Sequence, residues 1–204
     1  MEKFFSLPVV KQNKIIDAAL KVFGTNGYKK ASVSDIANAA GISKAMVFHY
    51  FGSKKALYLY LIEFCGNLFM KEVDEKLDNT VTDFFDRIKM ITGIEISLMK
   101  RHPAILSFLT SIYFENHEEV QADIKAILAK GEDFRNKIAF EGMDTSKFRA
   151  NIDVKLVMKI LSWIADGYAA QASKNPEADY DALFQELNNC LVLLKNNFYK
   201  DEYL

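Results

Sequence analysis

The chain has 204 residues, a length that allows one large or two small domains with a buried core. Half of the residues are hydrophobic, with sixteen Phe and three Pro, a composition typical of a compact, helical, soluble protein. No apolar run approaches the ~18 residues of a membrane span, and the N-terminus lacks a secretory signal pattern. We therefore expect a cytoplasmic protein that does not bind a membrane.

The net charge of −1 conceals an asymmetry along the chain. Residues 1–56 carry nine lysines against three acidic residues, a formal charge of +6. The remainder carries 17 basic and 24 acidic residues, a formal charge of −7. A basic N-terminal region attached to an acidic body indicates a small DNA-binding domain joined to a segment that need not touch DNA.

The first predicted helix begins near Lys11 and brings four apolar side chains onto one face. These are Ile16, Ala19, Leu20 and Phe23. Gly27 is predicted to end this helix, because glycine adopts the left-handed conformation without a steric penalty. Tyr28 is then expected to pack back against the helix, which supplies a wall for the elements that follow.

Two short helices with a tight turn between them are predicted from Ser32 to Tyr50. Ser32 is placed to cap the first helix, with Asp35 at the N3 position of a capping box. Gly41 suits the end of that helix, and Ser43 is placed to cap the second. The pattern indicates a helix-turn-helix DNA-binding unit, although a helical hairpin inside another all-α protein has the same local sequence features.

The second of these helices has an inward face made by Val47 and Phe51. Its outward face carries small, apolar and hydrogen-bonding groups. These are Ala45, Met46 and His49, flanked by Lys44, Phe48 and Tyr50. Such groups suit the major groove of DNA, where thymine methyls and purine acceptors are exposed.

A long helix is predicted from Lys54 towards Lys76, with Ser53 as its cap. Lys54 and Lys55 lie in its first turn, the end of a helix where cations are electrostatically disfavoured. A DNA phosphate bound at this N-terminus would account for both lysines. The same helix joins the N-terminal region to the body, so a tilt of it would move the DNA-binding surface.

The body is predicted to consist of further helices. They span about 81–100, 104–116, 118–140, 154–173 and 180–199. His102-Pro103 separates the first two, because Pro fits the first turn of a helix and disfavours helix in the residue before it. A turn-rich connector over 141–153 precedes the fourth helix, and 174–179 separates the last two.

Five short motifs, taken in chain order, resemble the N-terminal signature of TetR-type transcriptional regulators. They are Phe23…Gly27-Tyr28, Ser32-x-x-x-Ile36-Ala37, Ala40-Gly41-Ile42-Ser43, Phe48-His49-Tyr50-Phe51 and Lys54-x-x-Leu57. The resemblance covers about 11–62 in detail. It implies an all-α homodimer with an N-terminal three-helix DNA-binding domain, over 1–53, and a C-terminal ligand-binding and dimerisation domain, over 54–204.

Carried over position by position, the resemblance implies two kinds of DNA contact. Ser32 and Ser43 look like phosphate-contacting helix caps, and Tyr50 and Lys54 look like further backbone contacts. The base-reading surface looks like Lys44, Ala45, Met46 and His49. One position departs from the family pattern: Phe48 stands where tyrosine is usual, and it has no hydroxyl for a phosphate. It is expected to pack against sugar or a thymine methyl.

The last two predicted helices carry long apolar stripes that fit two interpretations. The residues of interest are Leu161, Ala165, Leu183, Leu187, Leu191 and Leu194. They belong either to the core of one chain or to a four-helix interface between two copies, and the resemblance favours the interface. A protein that reads DNA with one short helix per chain also needs a second copy to gain specificity, which predicts a palindromic double-stranded operator.

No motif for catalysis, cofactor binding or metal binding stands out. The three histidines lack ligand spacing, no nucleophile elbow is present, and Cys65 and Cys190 are expected to be free thiols. The body does contain flexible and aromatic side chains that suit a small-molecule site. The candidates are Phe108, Ile112, Met158, Trp163 and Tyr168, which ordinary core packing would also explain.

The sequence therefore predicts a ligand-responsive DNA-binding regulator, a repressor that a small apolar or aromatic molecule releases from its operator. The alternative is a DNA-binding protein whose body binds a protein partner instead of a small molecule. A ligand-dependent change in DNA affinity distinguishes the two.

Overall fold

A computed structural model of the chain describes residues 1–173 and 179–204. Its helices are α1 (Glu2–Phe5), α2 (Val9–Lys30), α3 (Val33–Ala40), α4 (Lys44–Phe51), α5 (Lys54–Lys76), α6 (Phe84–Arg101), α7 (Pro103–Tyr113), α8 (Glu118–Phe140), α9 (Val154–Ala172) and α10 (Tyr180–Phe198), followed by a 3₁₀ turn over Asp201–Tyr203. Over these ranges the β-type pairing is one isolated antiparallel bridge, Phe148 to Tyr199. The predicted all-α class is confirmed.

The predicted long helix from Lys54 to Lys76 is confirmed, and α8 begins and ends where the sequence placed it. α7 begins at Pro103, one residue before the predicted start, with His102 as its N-cap. The predicted separator of the last two helices lies outside the described residues over 174–178. No helix within 1–173 or 179–204 combines the length and the apolar character that crossing a bilayer requires.

Three other boundaries differ from the prediction. α6 begins at Phe84 instead of near residue 81, because the Asp83 carboxylate accepts a hydrogen bond from the Asp86 N–H at 3.1 Å and caps the helix there. α7 ends at Tyr113 instead of near residue 116. The regular part of α2 is broken at Gly27, which has φ +65°, and one more turn carries it to Lys30.

The chain divides into two compact units that differ from the predicted domains. Unit 1 comprises Met1–Leu68 and Arg101–Gly131, and unit 2 comprises Phe69–Lys100 and Glu132–Leu204. α7 and the first part of α8 thus pack together with the DNA-binding helices. The helices α5 and α8 each begin in unit 1 and end in unit 2.

The core of unit 1 is built around aromatic side chains. Phe23, Tyr58 and Phe108 are fully buried, with ring centroids 4.9 Å apart for Phe23–Tyr58 and 5.5 Å for Tyr58–Phe108. Tyr28 stacks on Phe23 at 6.4 Å, as the sequence predicted. α2 and α7 approach closely at Gly24, where an added Cβ would lie 2.9 Å from the Phe108 backbone nitrogen.

The core of unit 2 also depends on aromatic packing, with a charged network at its margin. Phe85 and Phe148 both lie within 5.2 Å of the Tyr199 ring centroid. Asp83, itself buried, is paired with Lys147 at 2.8 Å and with Lys195 at 3.3 Å. Burial raises the pKa of Asp83, but its hydrogen bonds and these lysines outweigh burial and hold that pKa below its ordinary value.

Candidate nucleic-acid interface

The helix pair α3–α4 is capped at both N-termini by serines. Ser32 Oγ accepts a hydrogen bond from the Ser34 N–H at 3.1 Å, and Ser43 Oγ accepts one from the Met46 N–H at 3.2 Å. In a capping box the Ser32 hydroxyl would accept from the N–H of Asp35, the third helical residue. Here it accepts from the N–H of the second helical residue instead. Gly41 between the helices has φ +69°, and the Ile42 N–H bonds back to the Ala37 carbonyl at 3.0 Å.

The inward side chains of both helices fix the angle of the pair. Ile36 and Ala40 of α3 and Val47 and Phe51 of α4 are all buried in the core of unit 1. Their burial leaves the opposite side of α4 to solvent. This geometry is that of a helix-turn-helix whose second helix is free to enter a groove.

The outward surface of α4 consists of side chains that the sequence predicted to read bases. Lys44, Ala45 and His49 are exposed. Met46 is 36% exposed and Phe48 is 40% exposed, high values for apolar groups. An exposed apolar pair flanked by a lysine and a histidine has the chemistry that contacts thymine methyls and purine acceptors.

Tyr50 differs from the other predicted contacts because it is only 7% exposed. Its ring packs against Phe4 of α1, with centroids 6.2 Å apart, and Phe4 in turn lies 4.8 Å from Phe51. The sequence pattern missed α1, a four-residue helix without a side-chain cap. The fully buried Phe4 therefore supports the inner side of α4, and Tyr50 serves first as a packing residue.

Lys54 also has partners within the protein. Its Nζ donates a hydrogen bond to the Lys29 carbonyl at 3.3 Å and lies 4.7 Å from the centroid of the Tyr28 ring. Ser53 caps α5 as predicted, accepting from the Ala56 N–H at 3.0 Å. The neighbouring Lys55 is paired with Asp123 at 2.8 Å. The two lysines of this first turn are thus already partnered in the free protein.

The candidate ligand residues fall into two separate groups. Phe108 and Ile112 are fully buried in the core of unit 1, where packing accounts for them. Met158 packs against the core of unit 2, and Tyr168 is half-buried. Trp163 is 59% exposed, with Lys159 Nζ 5.1 Å from its ring centroid.

The candidate dimer residues also differ in exposure. Leu161 and Leu191 belong to the core of unit 2, which corrects the prediction that they face a second copy. Leu183, Leu187 and Leu194 are half-buried, and Ala165 is exposed. The sequence reasoning missed the large apolar side chains that α9 and α10 expose. These are Leu156, Val192 and Leu193.

One carboxylate lies on an otherwise apolar face of α6. Glu95 follows Ile91 by four residues and precedes Leu98 by three, and both of these are buried. Burial raises the pKa of Glu95 to about 7, while Arg135 lowers it and Asp166 raises it. Over 1–173 and 179–204, no group of three or more His, Cys, Asp or Glu side chains is arranged to hold a metal ion.

A pair of serine-capped helices with basic and apolar side chains on the outward face of the second helix has the geometry of a helix-turn-helix DNA-binding unit. Residues 15–61 match the family model of bacterial regulatory proteins of the tetR family. The N-terminal region of the chain is therefore similar to the DNA-binding region of TetR-family transcriptional regulators. Relatives with longer matches to this chain are named as transcriptional regulators.

Similarity to individual proteins extends beyond the N-terminal region. The fatty acid metabolism regulator protein of Bacillus subtilis is 24% identical over 152 residues, covering 74% of this chain and 77% of that protein. The fatty acid degradation regulator FadR of Bacillus halodurans has a similar fold, with a TM-score of 0.71 at 23% identity, over 88% of this chain and 97% of that one. FadR of Bacillus subtilis, solved in complex with stearoyl-CoA, gives a TM-score of 0.68 at 23% identity and the same coverage.

Proposed function

We propose that this protein is a ligand-responsive transcriptional repressor that binds a palindromic DNA operator as a homodimer in the cytoplasm. The observation that carries the proposal is the outward surface of α4, which presents Lys44, Met46 and His49 on a rigidly packed helix between two capped N-termini. The formal charge of +6 over residues 1–56 supplies the attraction to phosphate that DNA binding requires.

In this proposal the DNA backbone is bound at helix N-termini. The amides of the first turns of α3 and α4, next to Ser32 and Ser43, are oriented towards an incoming phosphate oxygen. Lys54 at the start of α5 adds a cation. The Tyr50 hydroxyl is assigned a further contact with the DNA backbone. These contacts position α4 but carry no sequence information.

Base reading is assigned to the outward residues of α4. Lys44 and His49 are hydrogen-bond donors for purine acceptors, and Ala45 and Met46 are apolar groups for thymine methyls. Phe48, exposed and without a hydroxyl, is assigned to an apolar contact with sugar or a thymine methyl. Since one short helix reads only a few base pairs, the proposal requires a second copy on the adjacent half-site.

We assign the dimer interface to the exposed apolar surface of α9 and α10. Leu193 is 63% exposed and Leu156 is 51% exposed, an unfavourable arrangement for isolated helices in water. Burial of such side chains contributes roughly 1.5–3 kcal/mol each. Ala165, Leu183, Leu187 and Leu194 retain partial or full exposure and are kept as interface candidates.

The effector is proposed to be a small molecule with an apolar chain or ring. Support comes from the relative that was solved with stearoyl-CoA, a ligand with a long acyl chain. Of the predicted ligand residues, Met158, Trp163 and Tyr168 are retained as candidates. Phe108 and Ile112 are set aside because both side chains are buried in the core of unit 1. Ligand binding is proposed to tilt α5, so that the two reading helices no longer fit successive major grooves.

The experiment that tests this function is selection of binding sites from a random duplex library, followed by titration of the selected duplex. We expect an inverted repeat and an affinity that falls steeply with salt. Failure to enrich any sequence, with affinity equal for all duplexes, would contradict an operator-specific regulator. Adding stearoyl-CoA to the bound duplex then tests release.

A protein partner for the body is the second candidate. The observation that favours it is the exposure of Tyr113, 53%, and Phe114, 76%, at the end of α7. Release of the operator by a small molecule would favour the repressor, whereas DNA affinity that no acyl-CoA or fatty acid changes would favour the second candidate.

A further inference from the structure

Lys54 is the predicted phosphate contact whose surroundings the structure defines best. Its ammonium group lies over the Tyr28 ring and donates to the Lys29 carbonyl, both at the end of α2. Burial lowers the pKa of Lys54, and the carboxylates of Glu119 and Glu115 act in the opposite direction. The ammonium therefore has anionic neighbours on α8 and on the segment just before it.

The segment between α7 and α8 is attached firmly to the end of α2. Glu115 Oε2 accepts a hydrogen bond from the Tyr28 N–H at 2.7 Å, and Glu115 Oε1 accepts one from the His117 N–H at 2.9 Å. The His117 ring contacts the Tyr28 ring edge-on at 5.3 Å. Both carboxylate oxygens of Glu115 are thus used to hold this junction together.

Glu119 also belongs to this junction, but its side chain is exposed, unlike the half-buried Glu115. It lies in the first turn of α8 and has its N–H directed to His117 Nδ1 at 3.3 Å. Its carboxylate lies beside the Tyr28 hydroxyl, and burial together with Glu119 raises the pKa of that hydroxyl. One side chain, Tyr28, thus contacts both groups: Lys54 lies over its ring, and Glu119 lies beside its hydroxyl.

We propose that Glu119 is an intramolecular counter-anion for Lys54, which competes with a DNA phosphate for the same ammonium group. The inference rests on the proposed DNA-binding function. A DNA phosphate at the N-terminus of α5 must either displace the Lys54 ammonium from the neighbourhood of the Glu119 carboxylate or share that ammonium with it. The Glu119 carboxylate therefore weakens DNA binding. α8 continues into unit 2, so a displacement of its first turn changes the competition.

The test measures binding of the full-length protein to a fluorescein-labelled 30-base-pair duplex of mixed sequence, by anisotropy at low salt. Glu119→Gln is compared with Glu118→Gln, which removes the same charge from the adjacent exposed residue. We expect Glu119→Gln to bind about two- to fivefold more tightly than Glu118→Gln, the range of an exposed charge pair. Added KCl should narrow the difference.

Lys54→Met provides the background that separates competition from a general charge effect. In that background the two glutamine variants should bind the duplex equally, because the cation for which Glu119 competes is gone. Equal affinities in the Lys54 protein, or a difference that persists in Lys54→Met, would overturn the proposal. If Glu119→Gln unfolds, Glu119→Ala replaces it. Absence of binding by the wild-type protein would instead overturn the DNA-binding function, and this inference with it.

Discussion

At the scale of single residues, two helical glycines differ in what an added methyl group would meet. At Gly24 of α2 a Cβ would lie 2.7 Å from Ser107 Oγ and 2.9 Å from the Phe108 nitrogen, whereas at Gly66 of α5 nothing lies within 4 Å. We expect Gly24→Ala to lower the free energy of unfolding by about 1–3 kcal/mol, because the α7 backbone cannot yield easily.

Gly66→Ala is the matched control and should raise the free energy of unfolding by up to about 1 kcal/mol, since alanine favours a helix. Urea unfolding followed by circular dichroism measures both. Similar shifts for the two variants would show that α2 and α7 do not approach as closely as described.

Base reading by α4 predicts that substitutions change sequence preference and leave the salt dependence of binding unaltered. Met46→Ala and His49→Ala remove an apolar contact and a donor, so each should cost about 1–3 kcal/mol on the selected operator and much less on a scrambled duplex. Lys54→Ala is the contrasting variant and should reduce the salt slope by about one for each half-site. Equal losses on all duplexes would remove Met46 and His49 from base reading.

Glu95 predicts a pH dependence with a definite sign. Its pKa is about 7 in the folded protein and about 4.3 in an unfolded chain. The folded state thus holds the proton more strongly, and stability falls as pH rises from about 4 to about 7. Above pH 7 the carboxylate is charged in both states, and its destabilising effect on the folded state has reached its full size.

Glu95→Gln is neutral at every pH and should unfold at higher denaturant concentration than the wild type at pH 8. The expected gain is about 1–2 kcal/mol, less than the whole shift implies because part of the side chain reaches solvent. At pH 4, where the folded and unfolded states both largely hold the proton, the gain should nearly vanish. Glu63→Gln, exposed on α5, is the control. A gain of the same size at both pH values would exclude titration of Glu95 as the cause.

At the scale of helices, capping chemistry made the DNA-binding region predictable. Ser32, Ser43 and Ser53 each stand at a helix N-terminus, and Gly41 has the positive φ that its position between two helices requires. These are local interactions, which sequence spacing determines directly. α1 was not predictable in this way, because a four-residue helix is held by the tertiary burial of Phe4 and not by propensity.

A buried guanidinium links two helices of unit 2. Arg87 of α6 donates from Nε to the Ile138 carbonyl at 2.6 Å and from one terminal nitrogen to the Val81 carbonyl at 3.1 Å. Ile138 lies in the last turn of α8, where carbonyls lack intrahelical donors. Arg87→Met should therefore lower the free energy of unfolding by about 2–4 kcal/mol, because it leaves buried acceptors unpaired.

Lys89→Met tests the same chemical change at an exposed position of α6 and should be within about 0.5 kcal/mol of wild type. Chemical denaturation of both variants gives the comparison. An Arg87→Met protein as stable as Lys89→Met would mean that water satisfies the carbonyls and that the guanidinium contributes little.

At the scale of the whole molecule, periodicity did not reveal which apolar face meets which partner. The sequence selected Leu161 and Leu191 as interface residues, but both face the core of their own chain. α10 has apolar side chains on two faces, since Leu191 is 6% exposed and Leu193 is 63% exposed. Spacing at three and four residues identifies an amphipathic helix but does not distinguish an intramolecular neighbour from a second copy. Only the packed structure separates the two.

The exposed residues of α9 and α10 therefore replace the buried ones in the test of dimerisation. Leu193→Glu and Leu156→Glu should leave the monomer folded, because both side chains already lie in solvent. In a dimer each would bury an unpaired carboxylate, at a cost of several kcal/mol, and shift the protein to monomer in sedimentation velocity.

Val10→Glu is the control, since Val10 is 80% exposed but lies on α2 in unit 1. It should sediment like the wild type. Loss of the dimer should also abolish binding to an inverted repeat while leaving weak binding to a single half-site, because half-sites about 34–36 Å apart are read by two copies held at a fixed separation. A Leu193→Glu protein that remains dimeric and binds the operator with unchanged affinity would place the interface on another surface.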